Sequence, residues 1–318
     1  VMPELPEVQT TVNGLRAHII GLRITNVWSD YNSPYFTGSE TIKDPLYFKQ
    51  FKKKVVGLTV VDVKRRAKNI LIYVGARNGG TPRHILLVHM KMTGHLLYGT
   101  YRFNSSKNKD PWEAIEPEAL RDPFNKHVHF LISFSNKKHL ALSDVRKFAK
   151  VTLIDAVTAH DSDHLNSIGP EPLDDTFKER LNLRKNGKIK QVLLDQHIIA
   201  GIGNIYADES LWRAGIHPLE RVKHITTLQV KHLFDALKKT LSRGINFGGD
   251  STSDYRNVLG EKGLFHEQHA AYQRTGSVCT KKGCGGTIVR IVVGSRGTHY
   301  CNTHQQLNNR KVANPFKS

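Results

Sequence analysis

Alternation of apolar and polar residues dominates the first half of the chain. KVVGLTVVDVKRR (Lys54–Arg66), NILIYVG (Asn69–Gly75) and HILLVHMKM (His84–Met92) are rich in β-branched residues and partly alternate. HVHFLISF (His127–Phe134) alternates along its length, and HLALSD (His139–Asp144) and KFAKVTLID (Lys147–Asp155) follow it. A period of two is that of a strand with one buried face. Regular short strands joined by polar connections predict a β-sandwich or barrel. One helix is expected near the start, over residues 11–20. The segment NSSKNKDPWEAIEPEALRDPFNK, Asn104–Lys126, breaks the series and reads as a long excursion with room for one helical turn.

The period changes after about Asp155. IGPEPLDD, Ile168–Asp175, is a joint marked by glycine and prolines. Helical spacing follows over Asp174–Leu183, Lys188–Gln196, Asn204–Ala214 and Thr226–Arg243. A glycine-rich stretch, Phe247–Gly263, separates these helices from a cysteine-bearing end. The expected class is α+β: a β-sandwich over 1–155, a linker over 156–172, a helical domain over 173–265 and a small metal-bound hairpin over 266–318.

Composition narrows the functions open to such a chain. Its 318 residues suffice for two domains with real cores, and 39% hydrophobic content excludes a disordered polymer. No apolar run approaches the length that spans a bilayer, and the start lacks the pattern of a signal peptide. A cytoplasmic, nucleoid-associated monomer is expected, with no membrane partner. Lysine and arginine number 47 against 28 acidic residues, a formal charge of +19. Charge of that size concentrates polyanions near the surface and favours a nucleic-acid partner, without naming a reaction. The three cysteines, Cys279, Cys284 and Cys301, are too few for a disulfide framework, and their grouping points to a metal site.

The string LLDQHIIAGIGNIYADESLWRAGIHP, Leu193–Pro218, carries the strongest local signal. Gly201 and Gly203 flank a turn between two helices, and Asn204 stands where the second begins, as its expected N-cap. Free backbone N–H groups and the dipole at such an end suit a phosphate, and glycine allows a DNA backbone to come close.

GIGNIYADESLWRAGIHP resembles the helix–two-turn–helix segment of bacterial formamidopyrimidine-DNA glycosylases and their endonuclease VIII relatives. So do MPELPEV at the start, RRAKNIL at Arg65–Leu71, HMKMTG at His89–Gly94, SDVRKF at Ser143–Phe148 and IGPEPL at Ile168–Leu173. These matches come in family order over nearly the whole chain, and PELPEV resembles the formamidopyrimidine branch. The resemblance implies a bifunctional enzyme of base excision repair acting on double-stranded DNA. It would excise 8-oxoguanine and formamidopyrimidines through an N-terminal proline Schiff base, then nick the strand at the abasic site by β,δ-elimination.

The residue chemistry agrees with that implication. An α-amine titrates at about 7.7–8.0, so a useful fraction is neutral and nucleophilic near neutrality. Proline is a secondary amine, and its attack on the sugar C1′ gives an iminium that cannot discharge by losing an N–H. By the resemblance, Pro3 supplies the amine once Met2 is removed, Glu4 is the acid–base partner, Glu7 lines the lesion pocket and Lys68 sits beside a phosphate. His89, Asn204 and Arg296 match the remaining phosphate clamp. Extruding a base leaves a hole in the stack, and Met92, Arg146 and Phe148 match the side chains that fill it. Arg146 would also hydrogen-bond the orphaned cytosine. The loop GGDSTSDYRNVLGEKGLF, Gly248–Phe265, resembles the mobile loop that closes over the everted base.

The cysteine region departs from the family pattern of two C-x2-C knuckles. Here the spacing is Cys279-x4-Cys284, sixteen residues, then Cys301-x2-His304. One structural Zn2+ accepts Cys279, Cys284, Cys301 and His304 as a tetrahedral set, and His299 leaves a single residue before Cys301. A hairpin held by packing alone is the alternative. Val1 raises a second question. With Val1 retained, Pro3 is an internal amide, and the chain would be a non-catalytic damaged-DNA-binding homologue. A basic zinc-ribbon protein that binds RNA or ribosomes fits the charge and cysteines, but leaves PELPEV, RRAK and the helix pair unexplained.

Overall fold

The computed structural model describes residues 2–76, 80–159 and 162–308; Val1 lies outside them. The chain divides into two compact units. Val1–Ser167 and Arg243–Glu267 form one, and Ile168–Ser242 and Gln268–Ser318 form the other.

The first unit opens with helix α1 (Leu5–Ile19), strand β1 (Ile24–Ser29) and helix α2 (Pro45–Val55). Strands β2 (Thr59–Arg66), β3 (Asn69–Gly75), β4 (Pro82–His89), β5 (His95–Phe103) and β6 (Trp112–Glu116) follow. They are succeeded by β7 (Val128–Phe134), β8 (His139–Ser143), β9 (Lys150–Asp155) and the short helix α3 (Asp163–Asn166). The strands form two antiparallel sheets, ordered β1-β7-β8-β5-β6 and β2-β3-β4-β9. One core lies between them. Val27, Tyr98, Phe130 and Leu142 enter it from the first sheet, and Val63, Ile72, Leu86 and Val151 from the second. Burying each such side chain contributes about 1.5–3 kcal/mol. The expected β-sandwich is therefore present.

Two expectations change. Helix α1 starts at Leu5 rather than near residue 11. Glu4 is its N-cap and forms a capping box with Glu7, whose Oε2 accepts the Glu4 N–H at 2.8 Å. Pro6 falls in the first turn, where its missing N–H would have had no helical partner. Val8, Val12, Leu15 and Ile19 then recur at helical spacing on the buried face. The excursion Asn104–Lys126 contains strand β6 and two 3-10 turns, Glu118–Arg121 and Pro123–Asn125. Trp112 carries β6 to the sheet edge, packing at 5.2 Å from the Phe103 ring and 5.9 Å from Trp28.

The glycine-rich stretch also falls differently from the boundary drawn in the sequence at residue 265. Residues 243–267 group with the β-rich unit, because Val258 is buried in the sandwich core and its carbonyl accepts the Tyr98 N–H at 2.6 Å.

The second unit contains α4 (Phe177–Asn182), α5 (Ile189–Leu194), α6 (Asn204–Ala214) and most of α7 (Thr227–Asn246), with the hairpin β10 (Ile288–Val293) and β11 (Arg296–Cys301). Its core gathers Leu181, Ile189, Ile202, Leu211, Leu233 and Leu237. Gly215 ends α6 at φ 71°, a left-handed conformation that favours glycine. Among the described residues, no helix is long and apolar enough to cross a membrane.

Candidate active site and nucleic-acid interface

Pro3 is buried immediately before the cap of α1. Glu4 and Glu7 are each 2% exposed. The two oxygens of Glu7 serve different segments: Oε2 takes the Glu4 N–H, and Oε1 takes the Asp250 N–H at 2.8 Å. The Tyr255 hydroxyl donates to the Glu7 carbonyl at 3.1 Å. Gly249 sits at φ +88°, and a Cβ there would lie 3.1 Å from Glu7 Cγ, so glycine lets this loop reach the carboxylate. Glu7 thus joins the head of α1 to the loop at 249–255.

Lys68 lies in the tight turn between β2 and β3 and is only 5% exposed. Ala67 beside it adopts φ 53°. Arg65 holds the turn, donating to Gln9 Oε1 at 2.9 Å and to the Ala67 carbonyl at 3.0 Å. His89 ends β4 opposite Asn69 on one side and Lys150 on the other. Burial, with Lys91, Lys68 and Lys150 adding like charge, pushes its pKa down to about 3. Its Nδ1 accepts the Lys91 N–H at 3.0 Å, which leaves the proton of the neutral ring on Nε2.

Met92, Arg146 and Phe148 come together on two loops and are exposed. The Arg146 guanidinium lies 4.5 Å from the Phe148 ring centroid, and its Nη1 is 3.2 Å from Met92 Sδ. Asp144, fully buried, shapes this arrangement. Its Oδ1 accepts the Thr93 hydroxyl and the Arg146 N–H, and its Oδ2 accepts the Ala149 N–H at 2.7 Å. Sequence reading passed over Asp144, although it stands inside SDVRKF.

In the second unit, Gly203 is the N-cap of α6 and Asn204 the first helical residue, so the cap falls one position earlier than the Asn204 cap expected. Gln196 orders the preceding turn. Its Nε2 donates to the Leu194 and Ile202 carbonyls, and its Oε1 accepts the Gly201 N–H at 2.9 Å. Arg296 opens β11 at the exposed hairpin tip. The Asn204 Nδ2 donates to the Gly297 carbonyl at 3.0 Å, which brings the start of α6 beside the hairpin tip that carries Arg296. Lys190 and Asp208, both fully buried, lock this contact in place. Lys190 Nζ donates to Asp208 Oδ1 at 2.6 Å, Thr298 Oγ1 at 2.8 Å and the Gly297 carbonyl at 3.2 Å, while Asp208 Oδ2 accepts the His299 N–H at 2.8 Å. Neither Lys190 nor Asp208 was singled out in the sequence.

Cys279, Cys284, Cys301 and His304 converge with their donor atoms within 4.8 Å of one another. Cys284 Sγ lies 3.5 Å from Cys301 Sγ and 3.4 Å from His304 Nδ1. That separation is far beyond a disulfide bond of about 2.05 Å and close to the roughly 3.8 Å that a tetrahedral metal imposes on two thiolates. His304 Nε2 meets the Trp212 carbonyl at 3.0 Å, which turns Nδ1 to the cluster, and the Trp212 Nε1 donates to Cys279 Sγ at 3.3 Å. His299 Nδ1 is instead against Asp208, at 3.2 Å. The donor set fits a structural metal ion.

Two family models match the chain: the formamidopyrimidine-DNA glycosylase N-terminal domain over residues 2–151 and the H2TH domain of the same enzymes over 168–256. A formamidopyrimidine-DNA glycosylase of Brevibacillus brevis is 35% identical over 94% of this chain and 98% of its own length. One from Halalkalibacterium halodurans is 36% identical over 96% of this chain and all of its own. Among solved structures, Lactococcus lactis Fpg with abasic-site DNA aligns over 95% of this chain and 99% of its own, with TM-score 0.75 and 31% identity. A mutant of that Lactococcus lactis protein with Fapy-dG-containing DNA aligns over 96% of this chain and all of its own, with TM-score 0.76 and 32% identity. With both halves matched in order and the relatives covered almost end to end, the chain belongs to the formamidopyrimidine-DNA glycosylase family.

Proposed function

We propose that the protein is a bifunctional DNA glycosylase and abasic-site lyase that removes oxidised purines from duplex DNA. The observation that carries this reading is the buried Pro3–Glu4 pair at the head of α1. A terminal Pro3 would place a secondary amine, nucleophilic in its neutral form, beside the Glu4 carboxyl. The reading requires Pro3 to be the first residue of the working enzyme.

In this mechanism the Pro3 nitrogen attacks C1′. The glycosidic bond breaks, and its electron pair leaves with the base, which takes up a proton. Glu4 protonates O4′ as the sugar ring opens to an iminium. Loss of a C2′ proton then expels the 3′ phosphate, and a second elimination expels the 5′ phosphate. Lys68, His89, Asn204 and Arg296 serve as donors to backbone phosphates; neutral His89 offers Nε2–H, and Asn204 retains a second amide N–H. Met92, Arg146 and Phe148 fill the space the everted base leaves, with Arg146 paired to the estranged cytosine. Glu7 lines the lesion pocket, and the loop at 248–265 covers the base. We assign zinc to the Cys279, Cys284, Cys301 and His304 site, where it cross-links the hairpin and takes no part in the chemistry.

Glu4→Gln separates these roles. It is expected to reduce excision of 8-oxoguanine opposite cytosine at least about a hundredfold while duplex affinity stays within about twofold. Excision by Glu4→Gln at the parent rate would remove Glu4 from the mechanism.

A further inference from the structure

The excursion Asn104–Lys126 is not absorbed by this mechanism, yet it is tied closely to the loop at 250–263. Arg256 is 1% exposed, the largest fully buried side chain among the described residues. Its Nε donates to Asp122 Oδ2 at 3.0 Å, and its Nη1 donates to the carbonyls of Tyr255 at 2.9 Å and Ser253 at 3.2 Å. Its guanidinium stacks 4.7 Å from the Phe124 ring centroid. Asn125 Nδ2 donates to the Ala119 carbonyl at 3.0 Å and the Gly260 carbonyl at 3.4 Å. Gly260, at φ +90°, lies so close to the excursion that a Cβ would fall 2.6 Å from the Ala119 carbonyl oxygen.

A guanidinium stays protonated, and burying it is costly without a counter-charge. Asp122 supplies that counter-charge to Arg256. Asp122 is itself fixed, since its Oδ1 caps the following turn by accepting the Phe124 N–H at 2.9 Å. Ordering a loop of this length costs about 1–2 kcal/mol per residue. Contacts made within the folded protein offset that cost before any ligand arrives.

We propose that the excursion is a brace, and that Arg256 and Asp122 are positioning residues that hold the loop formed in the DNA-free enzyme. This rests on the loop's assignment as the cover of the everted base. The loop would then meet a damaged base already shaped, and the brace would act on base excision but not on abasic sites, which present no base to cover.

The test uses the full chain with two duplexes, one carrying 8-oxoguanine opposite cytosine and one an abasic site. Asp122→Asn keeps the Oδ1 that caps Phe124 and removes the charge facing Arg256, and Arg256→Met removes the other partner. Losing a charge-assisted hydrogen bond corresponds to about a tenfold change. Amide exchange at Asp250, Gly263 and Leu264 is expected to rise about tenfold, and single-turnover excision to fall about tenfold. Abasic nicking stays within about twofold, and Arg256→Lys recovers more excision than Arg256→Met. Should Arg256→Met fail to fold, Asp122→Asn and Gly260→Ala carry the test. Parent-like exchange and excision in these variants would overturn the brace, as would an equal loss on both duplexes. A parent enzyme that excises no base refutes the glycosylase reading instead, and the exchange measurement still decides the brace.

Discussion

At His89, burial and charge act in the same direction. The ring is desolvated, and three lysines face it, so it stays neutral down to about pH 3. The sign of the pH effect follows. An unfolded histidine takes a proton below about 6.5, and the folded one does not until about 3. Between those values the unfolded state binds more protons, so the His89 contribution is fully present above 6.5 and is lost as pH falls toward 3. Denaturant midpoints measured from about pH 8 to about pH 4 should decline, and His89→Gln should flatten part of that decline; an unaltered slope would contradict a neutral His89. HMKMTG pointed to His89 by resemblance, but its tautomer was not legible. The tautomer depends on the Lys91 amide turning back onto Nδ1, and the lowered pKa draws in part on Lys150 lying across the sheet.

At the scale of elements, the hairpin β10–β11 is the instructive case. A two-stranded hairpin is at best marginally stable alone. Here it is fastened by buried Lys190 and Asp208 along β11 and by the Cys279–His304 cluster beyond it. Chelation of the metal is expected to raise amide exchange at Cys279 and Cys284, while Thr298 and His299, held by the buried pair, change less. Unchanged exchange at Cys279 and Cys284 after verified metal loss would argue against a structural metal. The cysteine spacing was legible in the sequence; the Lys190–Asp208 pair was not, because it joins residues that only the tertiary fold brings together. Helix α1 was legible and underread, since Glu4-x-x-Glu7 with Pro6 is a helix-start pattern. Helix α2 carries a comparable signal, with Asp44 Oδ1 accepting the Leu46 N–H at 2.8 Å just before Pro45. Strand β6 was hidden by the prolines and charges around WEAIE, and its place is set by Trp112 against Trp28 and Phe103.

At the scale of the whole molecule, a net charge of +19 and two family domains in order describe a DNA-directed enzyme. Class and domain order were legible because motifs survive as short strings. The pairing of the glycine-rich loop with the β-rich unit was not, because Glu7, Tyr98 and Asp122 reach it from distant parts of the chain. The proposed chemistry rests on one atom, the nitrogen of Pro3. Borohydride reduction during reaction with a duplex carrying 8-oxoguanine opposite cytosine tests it most directly. The expected result is a covalent protein–DNA adduct whose modified peptide begins at Pro3, with trapping strongly reduced in Pro3→Gly. Absence of an adduct, or its location on a lysine, would contradict the proposed mechanism.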